Sequence, residues 1–389
     1  MRLATDVAIV GAGPAGARAA YVLARRGARV TVFDPSHPRE KPCGGGVTGR
    51  ALALVAGAID PPAFARTTIH TARFTRLRGM AAPARHADVG VVTLHGDALV
   101  VASRAAFDAA LLAAAERAGA IVERVRVADV SIDPGGVQIT TVAGPRRAGF
   151  VIGADGANSL VRRRVTRAFR RDQLSMATGF FARGVTSDEI VVELTADPPG
   201  YIWSFPRPDH LAIGICAQAD AGFTAGDLRA RTAEWIRATG IARGARLDPY
   251  SWPIPSLSAR DFGELAVGGP RWALAGDAAG LVDPITREGI YFALASGEWI
   301  ADALIAGDAQ TYAARVHDDA ASELARAARL KARFFRPSFF GLMLRALDES
   351  AAIRAVMADL IAGRQCYATL KWRLIRTFEA GLAWRALTA

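Results

Sequence analysis

The sequence contains little cysteine. Only Cys43, Cys216 and Cys366 occur in 389 residues, and they stand far apart. Neither a disulfide framework nor a C-x-x-C metal or redox pair is indicated, which fits a reducing cytoplasm. The six histidines never fall at the spacing that places two ligands on one helix face. We therefore expect no protein-bound metal.

Long apolar runs are also missing. No stretch approaches the roughly 20 residues that span a bilayer. Met1 leads directly towards a strand-like segment, without the apolar core and cleavage site of a signal peptide. We therefore expect a cytoplasmic protein, either soluble or peripheral at the inner face of the membrane.

Lysine is nearly absent, and arginine supplies almost all of the formal net charge of +11. A basic surface favours anionic partners such as a nucleotide cofactor, a phospholipid headgroup or an acidic redox protein. No basic motif of a nucleic-acid-binding protein is present, so nucleic acid is not an expected partner. With 51% hydrophobic residues the chain can bury a full core, and its length indicates two or three domains.

A glycine-rich turn lies near the N-terminus, between a predicted strand and a predicted helix. The apolar run from Val7 to Val10 is typical of a buried parallel strand, and Gly11-Ala12-Gly13-Pro14-Ala15-Gly16 follows it directly. The first glycine permits a tight turn, the second lets backbone approach a pyrophosphate, and the third lets helix pack on strand. An alanine-rich helix over 17–26 and a second strand over 28–33 follow, so the pattern predicts a dinucleotide site.

Asp34 comes directly after the second predicted strand. A carboxylate at that place can accept both ribose hydroxyls of an adenosine, in FAD or in NAD. A second literal match to the glycine pattern, Gly44 to Gly49, has no strand before it and follows turn-forming residues. We interpret that match as a flexible loop.

Three later segments add to this pattern. Trp272 to Ala275 is a predicted strand that enters Gly276-Asp277-Ala278-Ala279-Gly280, and a helical pattern begins near Gly289. An apolar strand at 151–153 turns on Asp155-Gly156 into a short helix. Arg104 opens another helix in an R-x-x-F-D segment, where a charge on a solvated face is the alternative interpretation.

Together these motifs resemble the flavoproteins of the glutathione-reductase and aromatic-hydroxylase fold. Three segments, Lys41 to Val47, Gly200 to Pro206 and Gly276 to Ile290, are similar to the geranylgeranyl reductase family, over about residues 1–300. The resemblance implies an FAD-dependent enzyme that saturates double bonds of a prenyl lipid. It also implies an α/β fold, with a Rossmann-like FAD-binding domain, an inserted antiparallel β-sheet substrate domain and a C-terminal helical region.

The resemblance further implies the cofactor-binding residues, which are Gly11, Gly13, Pro14, Ala15, Gly16, Asp34, Cys43, Gly44, Gly46, Arg104, Val127, Asp155, Asp277, Gly289 and Ile290. Asp277 would bind the ribityl chain, and the backbone of Gly289 and Ile290 would face the edge of the isoalloxazine ring. No separate nicotinamide fold is visible in the sequence. The electron donor, expected to be NADPH, a ferredoxin or a quinol, is therefore left open.

Tyr201, Trp203 and Phe205 alternate along a predicted strand, so their rings share one face. They form either ordinary sheet core or an apolar wall that binds substrate above the flavin, and the family resemblance favours the wall. Cys43 is the candidate catalytic acid that protonates the alkene, because a thiol beside the flavin can donate a proton. A purely structural loop cysteine is the alternative.

The sequence departs from the common family pattern at two positions, and its C-terminal region from Asp318 carries no signature of the family. Asp34 stands where a glutamate is usual, which is chemically equivalent. Arg287 stands where a small residue, often glycine, usually precedes Glu-Gly-Ile. A charge at this position, beside the pyrophosphate or the flavin, could change the substrate or the donor.

The predicted FAD-binding domain comprises residues 1–65, 95–170 and 265–305, the substrate domain 66–94 and 171–264, and the C-terminal helical region 306–389. Helices in the last region are predicted to break at Pro337 and Gly363. Phenylalanines at 334, 335, 339 and 340 lie beside arginines. This composition suits either a peripheral helix on an anionic bilayer or a helix docked on the substrate cavity. A monomer is expected.

Three other functions fit the same motifs. A flavin monooxygenase shares every FAD motif and is the main alternative. A flavin-dependent halogenase is the second, although such enzymes carry tryptophan and isoleucine where Tyr201 and Phe205 stand. A flavin-binding or electron-transfer protein without catalytic activity is the third.

Overall fold

The structure, a computed structural model, describes residues 6–60, 64–76 and 89–377. The strands in these ranges are β1 Val7–Val10, β2 Val30–Phe33, β3 Gly46–Thr48, β4 Arg66–Thr68, β5 Thr71–Arg76, β6 Val89–Thr93, β7 Leu99–Ala102, β8 Ile121–Glu123, β9 Val127–Asp133, β10 Gly136–Thr141, β11 Gly144–Ala148, β12 Phe150–Gly153, β13 Leu174–Arg183, β14 Glu189–Ala196, β15 Pro199–Pro206, β16 His210–Gln218, β17 Arg246–Pro255, β18 Gly268–Gly269 and β19 Trp272–Leu274.

The α-helices in the same ranges are α1 Pro14–Arg25, α2 Gly49–Val55, α3 Arg104–Arg117, α4 Leu160–Val165, α5 Ala225–Thr239, α6 Ala259–Gly263, α7 Ile290–Ile305, α8 Thr311–Val316, α9 Ser322–Phe334, α10 Pro337–Glu349, α11 Ala351–Ile361 and α12 Tyr367–Ile375. A π-helical turn at His317–Ala321 joins α8 to α9. None of the helices in the described ranges is both long and apolar enough to cross a membrane.

The first sheet has six strands in the order β18-β19-β12-β1-β2-β8. Its central strand β1 pairs in parallel with β12 on one side and β2 on the other. All four residues of β1 are buried, as expected for a parallel strand covered on both faces. Helices α1 and α7 pack against each other beside this sheet and belong to the same apolar core.

The second sheet has seven strands in the order β17-β13-β16-β15-β14-β5-β6. Its pairs are antiparallel, except that β14 runs parallel to β5. Because side chains alternate across a strand, β15 turns Ile202 towards α5 and the neighbouring Tyr201 and Trp203 towards the opposite face. Helix α5 therefore covers one face, and the other face is available for a cavity.

Helices α9 to α11 lie over part of the open face of the seven-stranded sheet. Phe335, Phe340 and Leu344 are buried there among side chains of β5, β6 and β14. A Cβ at Gly90 would lie 2.8 Å from Leu347, so α10 contacts the strand backbone directly. These buried residues therefore agree with the interpretation of a helix docked on the substrate cavity.

The predicted fold class is confirmed, as are the helix breaks at Pro337 and Gly363. The prediction of a flexible loop at Gly44 to Gly49 was wrong in part. Gly46–Thr48 forms β3, which pairs antiparallel with β7, and α2 begins at Gly49. Because β3 pairs antiparallel, this segment is still not a second nucleotide-binding unit.

Within the predicted substrate domain, strand-like stretches at 67–92 and 174–255 were expected to supply a sheet that covers the flavin, and the structure differs from this in two places. β4 joins β3 and β7 in a separate three-stranded sheet, and α5 interrupts the stretch from 174 to 255. Residues 77–88 of the first stretch lie outside the described residues. The domain limits stay an interpretation.

Candidate flavin and substrate site

The glycine turn connects β1 to α1 in a strand, turn and helix. Gly11 has a φ of 103°, and a Cβ on it would lie 2.6 Å from the carbonyl carbon of Ala154. A Cβ on Gly16 would overlap the carbonyl oxygen of Gly11. Both glycines are therefore required by close backbone packing, as the sequence predicted.

Gly13 differs from its two neighbours, because a Cβ on it would meet only His37 Nε2, at 3.8 Å. The backbone beside Gly13 thus faces open space at the N-terminus of α1, which begins at Pro14. The unpaired N–H groups of a helix N-terminus attract phosphate. This open cradle fits the pyrophosphate of FAD.

Asp34 anchors the turn that follows β2. One carboxylate oxygen accepts the N–H of Ala12 at 2.9 Å, and the other accepts those of Ser36 and His37 at 2.7 and 2.8 Å. Burial alone would raise the pKa of Asp34, but His37 and these N–H donors outweigh it, so the pKa lies well below its usual value. The ribose contact of Asp34 stays a prediction.

Arg104 is buried and is not a charge on a solvated helix face. It forms two hydrogen bonds to Asp108, at 3.0 and 2.8 Å, and a third to the sulfur of Cys43 at 3.6 Å. His37 lies between Asp34 and Asp108, with Nε2 3.6 Å from the Asp108 carboxylate. Asp34, His37, Asp108 and Arg104 therefore form a chain of polar contacts from the end of β2 to the Cys43 loop.

The loop from Cys43 to Gly46 packs against the aromatic strand. A Cβ on Gly44 would lie 2.8 Å from the ring of Phe205, and one on Gly46 would lie 3.1 Å from it. Fully buried Arg207 holds the same loop from the other side, donating to the Cys43 carbonyl at 2.6 Å and pairing with Glu40. The loop has no room for larger side chains.

Asp277 lies in the turn after β19 and pairs with Lys41 at 3.0 Å. Its Oδ1 would be 3.4 Å from a Cβ on Gly289, the residue that precedes the first turn of α7. The structure therefore brings Asp277, Gly289 and Ile290 to the same cavity as Cys43. This arrangement fits a ribityl chain at Asp277 and a flavin edge at the start of α7.

Asp155 and Val127 are placed differently from the other predicted residues. Asp155 accepts the N–H of Leu160 at 2.6 Å and the hydroxyl of Ser159, so its carboxylate caps α4. Its Cα nevertheless lies 2.9 Å from the position of a Cβ on Gly11. Val127 begins β9, in a three-stranded sheet with β10 and β11, and no described contact joins it to the cavity. The cofactor contacts of both stay predictions.

Tyr201, Trp203 and Phe205 line one wall of the cavity, as the interpretation of a shared aromatic face requires. The rings of Tyr201 and Trp203 are 5.9 Å apart in an edge-to-face arrangement. Tyr201 donates a hydrogen bond to the Thr286 carbonyl at 2.8 Å, which fixes this ring beside the loop before α7.

The cavity has a volume of about 990 Å³, near the upper end of the range for ligand pockets. The Cys43 loop and the start of α7 form one side, and the aromatic strand forms another. The remaining wall is mostly aliphatic and includes Ile190, Leu194, Leu342, Met343, Met357 and Leu370. A mixed polar and apolar cavity of this size can hold a flavin ring together with an apolar chain.

Several site residues were missed at the level of sequence. Lys41 begins the segment Lys41 to Val47, and the scarcity of lysine in the sequence was the signal that could have identified it as a site residue. Arg207 follows the aromatic motif directly, but its burial could not be foreseen. Arg50 pairs with Glu288 inside the cavity, where burial raises the pKa of Glu288 against the effect of Arg50. No sequence pattern indicated this pair.

The chain resembles known flavoproteins along most of its length. Residues 4–329 match the FAD binding domain family. A chloroplastic geranylgeranyl diphosphate reductase of Oryza sativa subsp. japonica is 30% identical over 333 residues, covering 78% of this chain and 67% of that protein. A digeranylgeranylglycerophospholipid reductase of Methanothrix thermoacetophila is 29% identical over 365 residues, covering 86% and 88%.

The same fold occurs in a solved structure of a geranylgeranyl bacteriochlorophyll reductase-like protein from Thermoplasma acidophilum. The TM-score is 0.77 at 22% sequence identity, and the match covers 97% of this chain and 100% of that one. The likeness extends through the C-terminal helices that lie beyond the matched FAD-binding region. It supports the architecture described above.

The open space beside Gly13 predicts a separable effect on cofactor binding. Gly13→Ala adds a methyl group that meets no protein atom closer than His37, so the stability of the FAD-free chain should not change. The methyl group would occupy the phosphate cradle and raise the Kd for FAD by at least about tenfold. Fluorescence titration of FAD and thermal unfolding measure the two effects. Gly263→Ala, whose methyl group would meet no atom within 4 Å, is the control, and equal Kd values for both variants would contradict the cradle.

Proposed function

The chain belongs to the FAD-binding domain family and, within it, to the geranylgeranyl reductase family of FAD-dependent oxidoreductases, and from this we propose that it saturates carbon–carbon double bonds of a prenyl lipid. Bound FAD, once reduced, supplies hydride to one alkene carbon. The chain must then hold the cofactor, orient the alkene, exclude water and deliver a proton to the other carbon.

The observation that carries this proposal is the apolar cavity between the Cys43 loop, the aromatic strand and helices α9 to α12. An isolated alkene has little polarity by which a protein can bind it. Close orientation and a water-free environment are therefore the main contributions available to the protein. The aromatic wall and the aliphatic helices supply both, and a long prenyl chain matches their surface.

The polar residues of the site have distinct roles in this proposal. The N-terminus of α1 would bind the pyrophosphate. Asp277, oriented by Lys41, would accept hydrogen bonds from hydroxyl groups of the ribityl chain. The glycines of the Cys43 loop allow the flavin to lie against backbone. The start of α7 directs its N–H groups at the flavin edge, where they stabilise negative charge.

Cys43 is the proposed proton donor to the second alkene carbon. Its side chain lines the cavity, and its sulfur lies 3.6 Å from a guanidinium nitrogen of Arg104 and 3.9 Å from one of Arg207. Two positive charges stabilise the thiolate that remains after proton transfer. The two arginines therefore act as positioning residues for the thiol.

NADPH, a ferredoxin and a quinol are the proposed candidates for the electron donor, and the choice among them stays open because the sequence shows no separate nicotinamide fold. A chemical reductant can replace any of these donors in a test of the reductive half of the reaction. The identity of the donor is thus independent of the reductase proposal.

A lipid surface is the proposed source of the substrate. Trp372 is 64% exposed and Ile375 54% exposed on α12, and exposed Phe339 of α10 lies at the cavity. The side chains of Arg333 and Lys371 are exposed at the same cavity. Apolar groups that enter the headgroup region beside cations that bind anionic lipids favour peripheral attachment.

The reductase proposal predicts transfer of electrons from the flavin to a prenyl alkene without oxygen. FAD-loaded protein is reduced with dithionite under anaerobic conditions and mixed with geranylgeranyl diphosphate or geranylgeraniol. We expect the flavin absorbance to return as the lipid gains hydrogen, measured by absorbance and lipid mass spectrometry. A flavin that is reoxidised only by oxygen, with a hydroxylated product, would contradict the proposal and favour a monooxygenase.

Replacement of Cys43 predicts a selective loss of turnover. Cys43→Ala should keep FAD, because the loop glycines and Asp277 remain, and should slow anaerobic reoxidation by substrate about 10²- to 10⁴-fold. Stopped-flow absorbance of the reduced protein gives this rate. Cys366→Ala removes an exposed thiol and is the matched control. If Cys43→Ala is reoxidised as fast as this control, Cys43 is not the proton donor.

The membrane proposal predicts binding to anionic vesicles that depends on α12. The protein should sediment with phosphatidylglycerol-containing vesicles at low salt, and Trp372→Glu and Ile375→Glu should each weaken binding roughly tenfold, about 1.4 kcal/mol. Ile121→Glu, at a residue 62% exposed on the edge strand β8, should bind like the unchanged protein. Equal binding by all three variants, or none by the unchanged protein, removes the proposed membrane contact.

A further inference from the structure

Arg287 has a backbone conformation that is unfavourable for its residue type. Its φ is 60°, and the other positive-φ residues in the described ranges are all glycines. The left-handed region is uncommon for side chains without a short polar group, and such strain is found where a side chain has a function. The backbone conformation disfavours arginine at this position, so we attribute its presence to a function of the side chain.

The guanidinium of Arg287 shares its hydrogen-bond acceptor with a second cation. Arg287 donates to the hydroxyl of Ser256, and Lys331 donates to the same hydroxyl at 3.0 Å and to the side-chain oxygen of Gln218 at 2.7 Å. Ser256 in turn donates to Gln218 at 3.0 Å. Two positive charges from a loop and from α9 thus converge on neutral acceptors.

Neither cation forms an ion pair with a carboxylate in the part of the chain that the structure describes. The two acids of the Arg287 loop have other partners: Asp283 accepts from Tyr367 and from backbone N–H groups, and Glu288 pairs with Arg50. Burial, and then the charge of Arg287, lower the pKa of Lys331 to about 7, although Cys216 and Asp220 oppose this. Within the described residues, neither cation is therefore neutralised by direct contact with a carboxylate.

Arg287 lies at the wall of the substrate cavity, and Lys331 lies behind it, joined to it through the shared Ser256 hydroxyl. Arg287 lines the cavity together with Cys216 and Trp252, and Leu330 and Phe334 of α9 line it on either side of Lys331. The hydrogen bond from Tyr201 to Thr286 fixes the loop that carries Arg287. A ligand in the cavity can therefore contact Arg287 directly, with the charge of Lys331 immediately behind it.

We propose that Arg287 and Lys331 form an oxyanion site that binds a phosphate or diphosphate group of a ligand in the cavity. A guanidinium presents a planar set of donors that matches phosphate oxygens, and an ammonium adds a compact charge. A bound oxyanion would remove the repulsion between the two cations. The group belongs either to the substrate headgroup or to a phosphorylated nicotinamide donor, and only this choice rests on the proposed function.

Inorganic pyrophosphate tests the site without any turnover. FAD-loaded protein is used, so that the cofactor already occupies its own phosphate cradle, and binding is measured by isothermal titration calorimetry. Arg287→Gly and Lys331→Met should each raise the Kd at least about tenfold, whereas Arg237→Met, at an exposed arginine of α5 on the opposite face of the sheet, should not. Arg287→Gly should unfold at the same temperature or higher, because glycine adopts the local φ without strain. Equal affinity in both site variants and the control would overturn the site.

The same titration has a predicted pH dependence. The groups that face Lys331 are Arg287, Cys216 and Asp220, and the lysine is charged below its pKa of about 7 and neutral above it. Anion affinity should therefore fall about tenfold between pH 6 and pH 8 through Lys331. Lys331→Arg stays charged over this range, so the ratio of the two affinities isolates the lysine from the titration of pyrophosphate itself. A ratio that is constant with pH would contradict the participation of Lys331.

Competition then identifies the source of the oxyanion. Displacement of pyrophosphate by geranylgeranyl diphosphate, but not by geranylgeraniol, supports a substrate headgroup, and displacement by NADPH supports the donor. Normal alkene reduction with no pyrophosphate binding would overturn the site alone. Pyrophosphate binding that depends on Arg287 and Lys331, without alkene reduction, would overturn the reductase proposal alone.

Discussion

The whole site depends on places where backbone touches backbone without an intervening side chain. The turn after β1 lies against the end of β12 at Gly11, and α7 crosses α1 where a Cβ on Gly297 would overlap the carbonyl oxygen of Ala15. Because these contacts are short, the start of α1 and the start of α7 are brought to one region. Most of the predicted cofactor contacts, from Gly13 to Gly289, follow from that geometry.

Buried charge pairs give the second set of constraints. Arg104 is held by Asp108, and Arg207 by Glu40, and both arginines reach the Cys43 loop. Removing one partner of a buried pair leaves an uncompensated charge and costs about 3–5 kcal/mol. These pairs hold the loop that faces the cavity in place, which suits a reaction whose catalysis consists largely of orientation.

Local patterns predicted the elements of the nucleotide unit, because a buried strand, a glycine turn and an alanine-rich helix are each determined by nearby residues. Pairings between distant segments were not predictable in this way. The pair formed by Lys41 and Asp277 spans 236 residues, and the burial of Arg207 is created by Phe181 and the Cys43 loop. The three-stranded sheet that takes β3 and β4 was missed for the same reason, since its register depends on β7.

We propose that FAD binds between the glycine turn after β1 and the Asp277 turn, with its ring at the cavity beside Tyr201, Trp203 and Phe205. Equilibrium titration of the purified, flavin-free chain with FAD tests this binding mode. We expect a yellow protein with one FAD per chain, and a flavin spectrum shifted by an apolar environment. A colourless chain that takes up no FAD would contradict it.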